Sequence, residues 1–197
     1  MTVVSVPPFA PRSPRNPLMF TPTQHAAFNA WANEHLHSAC AALGEERLRA
    51  ERGAYFKSIL GTLNHILLVD MLYMDRLTGQ AARFKRLDET VCATFSELRV
   101  CQAEQDRLYG QYTATLTPQD LDANVRFQTL LAAPQTWTVP MRIYLSNLFQ
   151  HQVHHRGQAH NLLSQEGLDP PSVGFVEYAI AAGLVPPPEP AGETSAK

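Results

Sequence analysis

His151-Gln-Val-His-His-Arg-Gly-Gln158 lies inside an apolar-periodic run that reads as one long helix. On a helix, His151 and His155 stand one turn apart on one face, the spacing at which two imidazoles reach a single cation. At about 100° per residue, Met141, Tyr144, Leu145, Leu148, Gln152, Ala159, Leu162 and Leu163 form one stripe, and both rings fall inside it. His154 points outside it. A histidine pair at this spacing is, by itself, more often an ordinary half-buried pair, so only a partner elsewhere in the chain changes the reading.

That partner is His65, within Ser58-Ile-Leu-Gly-Thr-Leu-Asn-His-Ile-Leu-Leu-Val-Asp70, on a helix expected over 53–79. The residues that precede it on the same face, Ala54, Ser58, Gly61 and Thr62, are small and leave room for a cavity. Alone, His65 reads as a core histidine with a satisfied ring nitrogen. With His151 and His155 it makes a set of three neutral imidazoles. Such a set leaves positions open on a tetrahedral or octahedral ion, and an open position is where a metal does chemistry rather than stapling.

Three segments in order, Asn29-Ala-Trp-Ala-Asn-Glu34, Gly61-Thr-Leu-Asn-His65 and His151 to Gln158, resemble the DinB family of the DinB/YfiT-like superfamily. The resemblance spans roughly residues 20 to 183. It implies an all-α fold, a four-helix bundle with up-down-down-up connectivity, and a divalent metal held by His65, His151 and His155. Zinc or nickel heads the expected ions, with iron or manganese also suited to imidazole. Relatives that use low-molecular-weight thiols in transfer or isomerisation imply a metal-dependent enzyme acting on a small electrophile. The alternatives are a non-catalytic, stress-related metal-binding protein and a metal-dependent hydrolase. The chain departs from the family pattern at Gln150, where members often carry Asn, and at Gly174-Phe-Val-Glu177, where an acidic residue often opens the last helix. Neither change touches the three histidines; the second bears on how that helix is capped.

A chain of 197 residues with 45% apolar content can bury one substantial core. The expected division is a Pro-rich N-terminal extension over 1–20, a helical bundle over 21–184 and a flexible Pro-rich tail over 185–197. A formal charge of −2 gives no electrostatic footprint for nucleic acid. The N-terminus has a short apolar start broken by prolines, unlike a signal peptide or a membrane span, so the expected location is the cytoplasm. Three cysteines, Cys40, Cys92 and Cys101, make no disulfide framework and suit a reducing compartment. On an unbroken third helix, Cys92 and Cys101 would stand about 13 Å apart along the axis, on opposite faces.

Punctuation sets the remaining elements. Thr23 is the expected cap of a first helix running to about Leu43, with Gly44 ending it. Gly79 ends the second, and Gln80 to Leu87, with Arg83, Lys85 and Arg86, reads as a solvated connection. Asp88 is the expected cap of a third helix to about Thr115, before the break at Thr117-Pro118. Val125 to Leu130 and Thr136 to Val139 alternate and are β-prone, which suggests a small hairpin ahead of the fourth helix. A short C-terminal helix follows. The second helix also carries Leu60, Leu63, Ile66, Leu67 and Met71 away from His65, so it is either the bundle's central helix or a homodimer surface. Three positions near the expected site read first as packing or rim residues. These are His35, a conceivable fourth ligand; Trp31; and Gln152, which faces the ligand interior and could bond a metal-bound water.

Overall fold

The computed structural model describes residues 21–130 and 132–188. In chain order the elements are α1 (Pro22–Cys40), α2 (Glu45–Arg49), α3 (Ile59–Thr78), α4 (Phe95–Ala114), α5 (Pro118–Asp122), β1 (Asn124–Gln128), β2 (Thr136–Pro140), α6 (Met141–Gln165) and α7 (Phe175–Ala181). The Pro-rich extension over 1–20 and residues 189–197 of the tail lie outside the described residues.

Helix starts follow capping chemistry. Thr21 caps α1 in a reciprocal box with Gln24, and Pro22 occupies the first turn, where a missing N–H costs nothing. Thr23, the expected cap, instead donates its hydroxyl to the Thr113 carbonyl on α4 at 3.2 Å. The first helix ends at Cys40, short of Leu43, and Gly44 is the N-cap of α2 rather than a left-handed stop. Ser58 caps α3, so residues 53–57 are not helical, while Gly79 ends it in the left-handed conformation as expected. The third long helix starts at Phe95, because Thr94 and Glu97 supply a full capping box that Asp88 lacks. Asp88 pairs with Arg86 instead. The hairpin forms as the alternation suggests, antiparallel with Val125 opposite Val139 and Phe127 opposite Trp137.

Cross-helix pairs fix the connectivity. Thr23 meets Thr113 and Asn33 meets Asp106, so α1 and α4 run antiparallel. His65 meets His151 and Tyr73 meets Asn147, so α3 and α6 also run antiparallel. His25 stacks on Phe149 and Asn33 bonds Arg156, which makes α1 and α6 parallel. Asn64 receives the Cys92 N–H and Asp70 receives Gln102, so α3 and α4 are parallel. The bundle is therefore up-down-down-up. A parallel α3–α4 pair needs a return crossover, and residues 79–94 supply it. Arg83 in this crossover grips the buried Asp75 carboxylate with two bonds of 2.7 and 2.8 Å, so it is a clamp rather than a solvated charge.

Two apolar clusters fill the bundle's ends. One joins Leu36, Leu63, Leu67, Leu98 and Leu163; the other joins Leu68, Tyr73, Tyr109, Tyr144 and Leu148. Leu60, Leu63, Ile66 and Leu67 are all buried within one chain. The apolar excess on the second long helix is thus satisfied internally, which removes the motive for a dimer through it. No helix among the described residues is long and apolar enough to cross a membrane.

Candidate metal centre

His65 on α3 and His151 and His155 on α6 converge at the α3–α6 seam, with one nitrogen of each ring within 4.8 Å of the others. The Nε2 atoms of His65 and His151 face each other at 3.0 Å. Two imidazole nitrogens bound to one ion at about 2.0–2.1 Å stand roughly 3.0–3.4 Å apart, so the spacing fits a shared cation. Among the described residues, no Asp, Glu or Cys joins the three rings.

Two of the three rings are oriented from behind. The backbone carbonyl of Leu87 accepts from His65 Nδ1 at 2.7 Å, which leaves Nε2 as the lone-pair nitrogen. Asn64, the preceding residue, makes that contact possible: its side-chain oxygen accepts the N–H groups of Val91 and Cys92 at 2.8 and 2.9 Å, pinning the crossover against α3. Gln158 Oε1 accepts from His155 Nδ1 at 2.8 Å, and its amide nitrogen reaches His154 Nε2 at 3.1 Å. His151 Nδ1 is buried with no partner. Burial pushes the His65 imidazole down to about 4, although the Leu87 carbonyl opposes this, and His151 down to about 3, helped by its histidine neighbours. Burial also lowers His155. The cluster is therefore neutral near pH 7, the ligating form of imidazole. An all-imidazole donor set with two Nε2 atoms 3.0 Å apart fits a divalent borderline metal.

A strap formed by residues 53–57 covers the rings. Lys57 N–H bonds the Ala54 carbonyl at 2.8 Å, and Lys57 takes a positive φ of 68° to close the turn. Phe56 then stacks on His65 with ring centroids 3.8 Å apart and meets His155 edge-on at 5.6 Å. Gly61 is what lets the strap sit this low, since a Cβ there would lie 2.1 Å from the Phe56 carbonyl oxygen. Beside His65 a cavity of about 410 Å³ opens to the surface, bordered by Tyr55, Phe56, Ser58, Asn64 and Arg86.

The other flagged positions fall elsewhere. His154 is exposed and outside the cluster. His35 bonds the Trp31 carbonyl at 2.8 Å and stacks on that indole, so it is no fourth ligand. Gln152 turns away from the cluster into a buried polar layer between the two apolar clusters, built from Asn29, Asn33, Asp70, Gln102, Asp106 and Arg156. Nothing in the expected site anticipated this layer. Its signal is present in the sequence as three polar pairs at helical i, i+4 spacing: Asn29/Asn33, Gln102/Asp106 and Gln152/Arg156. Cys92 precedes α4 instead of lying on it, so the expected opposite-face spacing from Cys101 does not apply; all three cysteines are free.

The DinB family model matches residues 19–191. The chain belongs to the DinB family. Its fold is shared with a DinB-like protein from Bacillus cereus of known crystal structure, at a TM-score of 0.56 and 19% identity over 77% of this chain and 96% of that one. Among curated proteins, none matches. The last helix of this DinB chain opens at Gly174 with no side-chain cap; Glu177 folds back and accepts the Ser172 hydroxyl at 2.7 Å.

Proposed function

We propose that this DinB protein holds one divalent cation, zinc or nickel, on His65, His151 and His155, and that the metallated site acts on a small electrophile with a low-molecular-weight thiol as cosubstrate. The observation that carries the reading is the convergence of three neutral imidazoles, two of them oriented from behind, with no fourth side-chain ligand among the described residues. A bound cation would supply Lewis acidity, lowering the pKa of a thiol or water that reaches it. The chain's own residues do the rest. Leu87 and Gln158 hold the rings in the ligating tautomer, Phe56 excludes water from the His65 and His155 faces, and the cavity beside His65 admits a small molecule. Among the described residues, no side chain near the triad is arranged as a nucleophile with its own base, which favours a thiol brought in from solution over a covalent enzyme intermediate. Three free cysteines suit the reducing, cytoplasmic setting such a cosubstrate needs. The working unit we assign to residues 21–184.

The test is turnover of a panel of electrophiles by the zinc- or nickel-loaded protein, with and without added thiol. Thiol-dependent turnover lost in His151→Ala supports the transferase or isomerase reading. Amide or ester cleavage without thiol assigns a hydrolase, and one bound equivalent of metal with no turnover assigns a metal-binding, stress-related role.

A further inference from the structure

On α6, the metal-site pair His151/His155 and the pair Gln152/Arg156 have the same spacing, offset by one residue and so by about 100° around the helix. One pair faces α3 and the other enters the polar layer. Nη1 of Arg156 donates to the side-chain oxygens of Asn29, Asn33 at 3.0 Å and Gln152 at 3.3 Å. Both asparagines pass the connection on, donating to the Asp106 carboxylate at 3.1 Å, Asn33 to both oxygens. The guanidinium also lies 5.5 Å from the centre of the Phe28 ring. Arg156 is only 2% exposed, so every one of these partners replaces water.

A buried charge is an expensive way to fill a bundle, since an apolar set of similar volume is often as stable. What Arg156 adds is one buried nitrogen, Nη1, whose bonds to two residues of α1 tie α6 to that helix in a single orientation. We propose that Arg156 is a positioning residue for the metal centre: tied through Asn29 and Asn33 to Asp106, it fixes the rotation of α6 about its axis and so aims His151 and His155 at His65. The inference rests on the metal reading above. The geometry makes the coupling steep. A ring tip about 6 Å from the helix axis moves about 1 Å for a 10° rotation, while ligand distances tolerate only about ±0.2 Å. Apolar side chains packed against α1 and α4 permit such a rotation by small rotamer adjustments; the Nη1 bonds to Asn29 and Asn33 do not.

The experiment measures zinc affinity of the full chain by competition with a chromophoric chelator, and the visible absorption of the cobalt-loaded protein, which reports ligand geometry. The variants are Arg156→Lys, which keeps the charge and removes Nη1; Arg156→Met with Asp106→Leu, which replaces charge by apolar volume; and Leu98→Ala, which weakens the core away from the polar layer. We expect all three to stay helical by circular dichroism. Both Arg156 variants should bind zinc at least tenfold more weakly with an altered cobalt spectrum, and Leu98→Ala should match wild type in both. Folded Arg156 variants with wild-type affinity and spectrum overturn the positioning role. So does an equal loss in Leu98→Ala, which would make the effect general destabilisation, and so does an Arg156→Lys chain that unfolds even in excess zinc, which would make the residue a requirement of the fold alone. Failure of the wild-type chain to bind zinc, nickel or cobalt overturns the metal reading itself, a result separable from the others.

Discussion

Replacing Asp70 with asparagine should remove a contribution to stability that declines as pH rises. Asp70 is fully buried; its Oδ2 accepts from Gln102 at 2.8 Å, while Oδ1 has no partner. The polar layer holds two carboxylates and one guanidinium. Burial raises Asp106 only to about 6, because the asparagine donors oppose it, so Asp70 is the acid that keeps its proton to higher pH. Burial first, and the neighbouring Asp106 second, push Asp70 up to about 8. Its folded pKa thus lies above its unfolded value near 3.9, so between about pH 4 and 8 the folded state holds a proton that the unfolded chain has released. Asp70's own contribution to stability must fall as pH rises through that window, by at most about 1.4 kcal/mol per pH unit, while the buried histidines contribute in the opposite sense. Between pH 5 and 7 that contribution loses about 2–3 kcal/mol, or roughly 5–10 °C in melting temperature for a domain of this size. Asparagine keeps the shape and cannot ionise. The buried histidines titrate alike in both proteins and cancel in the difference. Urea unfolding followed by circular dichroism at pH 5, 6 and 7, with a chelator present, gives the two slopes. Parallel pH profiles for wild type and Asp70→Asn would show that Asp70 is ionised in the native protein, and the charge count of the layer would have to be redrawn.

Three further outcomes follow from the same geometry. His65→Ala, His151→Ala and His155→Ala should each lose most bound zinc in equilibrium dialysis, and exposed His154→Ala almost none; equal loss from His154 would show that the wrong α6 pair was chosen. Gly61→Ala should lower stability by about 1–3 kcal/mol, as overpacking does, because the new Cβ meets the Phe56 carbonyl at 2.1 Å; an unchanged thermal melt would mean the strap yields freely. Removing metal with a chelator should leave the helical signal intact, while zinc at one hundred times its dissociation constant should add about 2.7 kcal/mol; collapse of the signal would make the ion a structural staple.

Local periodicity carried much of the molecule. The stripe on α6, the apolar run of α3 and the β-prone pair before Pro140 are each set by neighbours within a few residues, and each formed as read. Helix starts were displaced wherever two capping signals competed: Thr21 with Gln24 outranked Thr23, and Thr94 with Glu97 outranked Asp88, because a reciprocal box satisfies two orphan donors and a lone cap one. Periodicity also placed His151 and His155 together and His154 apart. It could not supply Leu87 or Phe56. Their contributions, a backbone carbonyl and a ring laid on from a turn, depend on where a crossover and a strap come to rest, and no spacing rule encodes that. Gln152 shows the limit of the method. A helical wheel puts it beside the histidines, yet the i, i+4 partnership with Arg156 draws it into the polar layer, where an unpaired guanidinium would be far costlier than a misplaced amide.

The division of labour around α6 explains why a bundle able to fold on its own apolar ends still carries a charged middle. The two apolar clusters involve every long helix, and their burial depends little on how each helix is turned about its own axis. A three-imidazole centre is far less tolerant, because its donors come from two helices and must meet within a few tenths of an ångström. Leu87 and Gln158 orient the rings on their side chains, but neither constrains the rotation of α6 relative to α1 and α4. Among the described residues, the bonds from Arg156 to Asn29 and Asn33, and from these to Asp106, tie all three helices together at the height of the triad. The polar layer is therefore placed where an apolar one would fold equally well and aim worse.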